Sequence, residues 1–218
     1  EFADMDQFYQ AAKGMMYNDA VTKAFSFTSA ESQRFGSSNF GNSCLVAKKV
    51  LEADQGTRFV QINFGGWDHH QDIYAEEQLP SMGAQLDKGF AALVAELKSS
   101  GMLDKTLIVM TGEFGRTPGR LTDTDGRDHW MQQSIVFAGG GVKGGRVIGK
   151  TDATGAATVE SGWSRDRDVR PEDVEATIYS AMGIDWTTVR YDDPFGRGFE
   201  YVPYSSEDLY GPINELFA

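Results

Sequence analysis

Leu103-Asp104-Lys105-Thr106-Leu107-Ile108-Val109-Met110-Thr111-Gly112-Glu113-Phe114-Gly115-Arg116 is the stretch that decides the reading of the fold. Its centre, Thr106–Thr111, is an almost unbroken apolar run, the pattern of a strand buried on both faces in a parallel sheet. It stops at a polar cluster, Gly112-Glu113-Phe114-Gly115-Arg116-Thr117-Pro118. Upstream, Arg58-Phe59-Val60-Gln61-Ile62-Asn63-Phe64 reads as another strand, and Pro80–Ser100 between them reads as a helix. Met82, Leu86, Phe90, Leu93, Val94 and Leu97 mark one face of that helix. Pro80 suits its first turn and Gly101 its end. Downstream, Ser134–Ala138 reads as a third strand and Pro171–Met182 as a helix ended by Gly183. Helix, strand, helix, strand, long loop, strand and helix in that order predict an α/β fold with a mainly parallel sheet flanked by helices. In such sheets ligands sit beyond the carboxyl ends of the strands.

The flanks are less regular. Residues 1–30 read as one or two short helices, with Phe8, Ala11, Ala12, Met15 and Met16 at helical spacing. Residues 31–41 are rich in Ser, Gly and Asn and read as a loop. Asn42 or Ser43 is placed to cap a helix running to about Ala53, with Leu45, Val46, Lys49 and Val50 as its stripe. Residues 116–130 read as a Gly/Thr/Asp-rich loop, and 185–218 as an irregular, aromatic-rich tail that packs on the core or, as the alternative, on a partner. The 218 residues suffice for one sizeable core, so a single α/β domain over 1–218 is expected. The chain opens at Glu1-Phe2 without an initiator Met, which fits the C-terminal part of a longer chain.

With 40% hydrophobic and 24% charged residues the composition is that of a globular protein. No apolar stretch approaches the roughly 20 residues of a transmembrane helix. The net charge of −12, with no basic run, argues against a nucleic-acid partner. It does not exclude a small anionic substrate, because a bound metal can dominate the local field. Cys44 is the only cysteine, in an apolar helical pattern, and reads as a small buried residue rather than a nucleophile.

The chemistry is concentrated in three histidines, which fall in two short motifs that each carry an aspartate. Gly65-Gly66-Trp67-Asp68-His69-His70 follows the first strand, and Gly126-Arg127-Asp128-His129-Trp130 closes the long loop. Imidazole and carboxylate at the ends of apolar runs are the donors of an N/O metal site. On an extended segment side chains alternate, so Asp68 and His70 can share one site while His69 points elsewhere, and Asp72 can join. Glu113, directly after the second strand, suits a metal ligand or general base. Arg116 and Arg127 carry guanidinium forks suited to phosphate or sulfate oxygens. Asp128 and His129 can divide the roles of ligand and ligand-orienting neighbour. Solvated turn residues and a Glu113–Arg116 salt bridge are the plain alternatives.

Three other motifs do not hold up. Gly139-Gly140-Gly141-Val142-Lys143-Gly144 has dinucleotide-site spacing but runs into Arg146-Val147-Ile148-Gly149 rather than a helix. Asp123-Thr124-Asp125-Gly126 resembles a calcium loop but places Ser134 where its closing Glu belongs. Gly36-Ser37-Ser38 lacks the strand–turn–helix frame of a nucleophile elbow.

Taken in order, Gly66-Trp67-Asp68-x-His70, Leu103 through Pro118, Gly126-Arg127-Asp128-His129-Trp130 and Ala138 through Gly145 resemble the bacterial DUF1501 family over most of residues 1–185. That family in turn resembles the alkaline phosphatase/sulfatase superfamily. The resemblance implies an alkaline-phosphatase-like fold and a divalent metal (Zn, Ca, Mg or Mn). By position it implies metal ligation by Asp68, His70, Glu113 and His129, with Phe114 standing where the superfamily has a His ligand. It implies catalytic roles for Glu113, Arg116, Arg127 and Asp128. The expected activity is metal-dependent hydrolysis of a phosphate or sulfate ester, the substrate being a small anionic ester. It further implies export to the periplasm or cell exterior and, because only the C-terminal half is matched, the N-terminal half of the same protein as a partner. The contrasting expectations are a non-catalytic secreted structural or carbohydrate-associated module on the same fold, and a metal-dependent mutase or transferase.

Overall fold

The computed structural model describes residues 2–217; Glu1 lies outside the described residues. The chain mixes helix and strand and divides into two compact units, Glu1–Met102 with Thr124–Gly126, and Leu103–Asp123 with Arg127–Ala218. No helix among the described residues is long and apolar enough to cross a membrane.

The first unit is helical. It contains α1 (Phe2–Met16), α2 (Asp19–Phe25), α3 (Ser29–Arg34), α4 (Asn39–Glu52) and α5 (Leu79–Ser99). The expected loop at 31–41 is largely helix instead. Thr28 and Glu31 form a capping box, in which Glu31 Oε2 accepts from the Thr28 backbone and Thr28 Oγ1 accepts from Glu31 N–H. The short helix α3 thereby arises from a sequence rich in turn formers. The cap of α4 is Ser38, whose hydroxyl accepts from Gly41 N–H at 3.0 Å, one turn before the expected Asn42 or Ser43. Phe8 and Met16 of α1 are exposed, so the spacing makes a helix but not a core stripe; the Met15 side chain lies outside the described residues. The core is built from Phe35, Cys44, Leu45, Ala47, Leu93 and Leu97. Gly89 lets α5 meet α4, because a Cβ there would sit 2.9 Å from the Phe40 ring. Gly101 (φ +70) then ends α5 in the left-handed region, with Met102 N–H bonded back to Leu97 O at 2.8 Å.

The second unit carries β1 (Ile108–Met110), β2 (Gly115–Arg116), β3 (His129–Trp130), β4 (Val136–Ala138), β5 (Lys150–Thr151), β6 (Thr158–Glu160), α6 (Pro171–Ala181), β7 (Val189–Arg190) and β8 (Phe199–Glu200). The strands form four two-stranded antiparallel sheets, β1–β4, β2–β3, β5–β6 and β7–β8. This corrects the expected sheet, since no parallel pairing occurs among the described residues. Thr106–Thr111 does supply a strand, but β1 pairs antiparallel with β4, Val109 opposite Phe137, and is only half buried. An apolar run reports burial and cannot report the direction of its neighbour. Arg58–Phe64 pairs with no strand among the described residues; Phe59 and Val60 are exposed.

The core of the second unit is Trp163, Val174 and Ile213, joined by Val109, Ile135, Phe137, Ile148 and Ile178. Asp173 is fully buried at the start of α6. Its carboxylate accepts a bidentate pair from Arg167 at 2.7 and 2.9 Å, and the backbone N–H groups of Arg170 and Gly211. Such a charge is tolerable in the interior only because every lone-pair direction is engaged. The tail is therefore pinned to α6, with Val202 and Ile213 buried. Its aromatics divide: Tyr201 stacks on Tyr179 at 5.3 Å, whereas Tyr191, Phe195, Phe199 and Tyr204 are exposed.

Candidate metal centre

In the first unit a chain of rings leads from the helix pair to the first His motif. Phe40 of α4 stacks on Phe64 (4.6 Å between centroids), and Phe64 meets Trp67 edge-on at 5.1 Å. Trp67 Nε1–H donates to Phe64 O at 2.7 Å, closing a turn that Gly66 enters with φ +99. Beyond it the side chains alternate. His69 is buried and its Nε2 meets no partner among the described residues. Asp68 and His70 emerge together, His70 Nε2 lying 2.8 Å from Asp68 Oδ1.

The loop residues Thr124–Gly126 pack on this segment. Asp72 N–H donates to Thr124 O at 2.9 Å, Ile73 N–H to Asp125 O at 3.0 Å, and Thr124 Oγ1–H to His70 O at 2.7 Å. Gln71 and Asp125 form an antiparallel bridge. Asp72 thus serves the backbone pairing, in the left-handed region at φ +45.

In the second unit the expected 116–130 loop contains a hairpin, β2 and β3, with Arg116 opposite His129. Antiparallel pairing places His129 on a strand rather than on an irregular lid. Thr117 N–H donates to Asp128 O at 2.8 Å, and Asp128 N–H to Thr117 Oγ1 at 3.1 Å. Arg116 donates to Arg127 O at 3.3 Å, and Arg127 donates to Thr117 O. Both guanidinium groups therefore bind backbone carbonyls of the hairpin. Phe114 lies with its ring 4.3 Å from the His129 imidazole, and the Arg116 guanidinium lies over the Phe114 ring at 5.4 Å. Glu113 is exposed in the turn after β1.

Asp68 and His70, paired in the first unit, and His129, on β3 of the second, are the exposed donor side chains of the two His motifs. All three residues are exposed. Two imidazoles and one carboxylate form a donor set suited to zinc, manganese or iron; calcium and magnesium favour all-oxygen shells. Sequence reasoning did not single out Thr124 or Gly126 as supports of the site. The Asp125-Gly126 dipeptide carries a turn signal, but nothing in the sequence says what the turn packs on.

No curated protein and no solved structure matches the chain. Residues 1–207 match the family described as Protein of unknown function (DUF1501), which covers the Asp68-x-His70, Gly112–Pro118 and Gly126–Trp130 motifs together. The chain belongs to the DUF1501 family.

Proposed function

We propose that Asp68, His70 and His129 bind one divalent transition metal and that the protein hydrolyses a phosphate or sulfate ester there. The observation that carries the reading is the exposed Asp68–His70 pair, an imidazole and a carboxylate held together at the end of the first His motif. A metal held by such a set, with open positions, acidifies water and polarises an ester oxygen. The chain's own residues supply the rest. Asp68 and His70 are pre-paired at 2.8 Å, so the carboxylate already stands where it must to share an ion with that imidazole. Phe114 walls one face of His129 and limits its rotation. Asp128, fixed through its backbone by Thr117, would orient a ligand or accept the proton of an attacking water. Arg127, anchored through one N–H to Thr117 O, keeps further donors in its fork for an anionic oxygen. The ester-hydrolase part of the reading rests on the motif resemblance.

A non-catalytic binding module is the second reading. It is favoured by Phe114 standing where a further imidazole is expected and by Arg116 and Arg127 donating to backbone carbonyls. The test is hydrolysis of p-nitrophenyl phosphate and p-nitrophenyl sulfate with added zinc or manganese. Metal-dependent release of p-nitrophenol that His129→Ala abolishes supports the hydrolase. Bound metal without turnover on either ester favours the binding module.

A further inference from the structure

We propose that Thr124–Gly126 is a latch on His70–Ile73, that Gly126 is its positioning residue, and that latch closure and metal binding at the Asp68–His70 pair are one coupled event; this rests on the metal reading above. Three hydrogen bonds and the Gln71–Asp125 bridge hold the segments together. One of these bonds ends on the carbonyl of His70 itself. Gly126 is buried against the same peptide, where an added Cβ would fall 2.0 Å from both the carbonyl carbon and oxygen of His70 and 2.5 Å from Gln71 N. Backbone atoms cannot rotate aside as a side-chain end would, so any residue larger than glycine pries the two segments apart.

The latch also carries strain, with both Asp72 (φ +45) and Asp125 (φ +56) in the left-handed region. Strained backbone persists only where surrounding contacts over-determine it. An ion that binds only the closed arrangement adds its binding free energy to closure, and closure in turn raises affinity by the same factor.

The test uses the whole chain as wild type, Gly126→Ala and Thr124→Val, titrated with zinc chloride by calorimetry, with far-ultraviolet circular dichroism for the fold. Trypsin cleavage after Arg120, whose side chain is 90% exposed beside the latch, reports closure. Wild-type protein is expected to bind one zinc and be cut more slowly with zinc present. Gly126→Ala is expected to bind at least about tenfold more weakly with an unchanged helical signal, and to lose the zinc protection. Thr124→Val, which keeps the glycine and removes one hydrogen bond, is expected to fall between them and decides the matter if Gly126→Ala does not fold. Zinc binding by the wild type that both variants retain, or that leaves its cleavage unslowed, overturns the latch alone. Absence of zinc binding by the wild type overturns the metal reading and the coupling with it.

Discussion

The Phe114 ring stands 4.3 Å from the imidazole of His129, tilted by 44°. Phe114 thus packs as a wall against the imidazole of His129. Phe114→Ala is expected to keep the fold and to weaken zinc binding about tenfold, as loss of a ligand-orienting neighbour does. Phe114→His is expected to bind zinc at least as tightly as the wild type. Isothermal titration of both variants checks this; equal affinity for wild type and Phe114→Ala would remove the orienting role.

Asp173 is the most exacting residue of the second unit. It is fully buried, and its partner Arg167 also lies over the rings of Trp163 and Tyr210 at 5.0 and 5.7 Å. Asp173→Ala removes the carboxylate and leaves the guanidinium and two backbone N–H groups without their acceptor. The expected cost is about 3–5 kcal/mol, the range for breaking one side of a buried ion pair. Urea unfolding followed by tryptophan fluorescence measures it; a loss below about 1 kcal/mol would show that the network adds little.

Glu31 gives the first unit an acid limit. Thr28 N–H and hydroxyl, with Lys49 at 3.0 Å, hold its carboxyl well below the usual range, at about 2. A carboxyl lowered on folding stabilises above its unfolded pKa and loses that contribution as pH falls through the folded one. The cap on α3 is therefore expected to weaken between about pH 4.5 and 2 and to be intact at neutral pH. A carboxyl-carbon NMR titration of Glu31 reads it directly, and a midpoint near 4.5 would contradict the capping box.

Cys44 offers a clean probe of opening. Burial pushes its thiol up to about 12, so almost no thiolate exists at pH 8. Ellman's reagent is expected to leave the native chain unlabelled and to label one thiol in urea. Rapid labelling without denaturant would show that the α4–α5 core opens readily.

What the sequence made legible follows from which forces act locally. The long helix is set by spacing, Pro80 and Gly101, all local, and α5 (Leu79–Ser99) matches the reading of Pro80–Ser100 within one residue at each end. The same holds for α6, bounded by Pro171 and by Gly183 just beyond it. Strand partners are not local. β1 and Arg58–Phe64 carry equally apolar patterns, yet the first pairs antiparallel with β4 and the second pairs with nothing among the described residues. At the site, alternation in Asp68-His69-His70 foretells one buried imidazole between two exposed side chains, which period-two geometry demands. The proximity of Phe114 to His129 and of Gly126 to His70 depends on hairpin register and on a loop contact 56 residues away in sequence, where no periodicity reaches.

The central claim is that Asp68, His70 and His129 together hold one metal ion. Its most direct test is metal content by elemental mass spectrometry, on wild type and on Asp68→Ala, His70→Ala and His129→Ala, purified without chelators and soaked in zinc. About one equivalent in the wild type, lost in each variant while circular dichroism is unchanged, is the predicted result. No metal in the wild type, or one equivalent retained in all three variants, would contradict it.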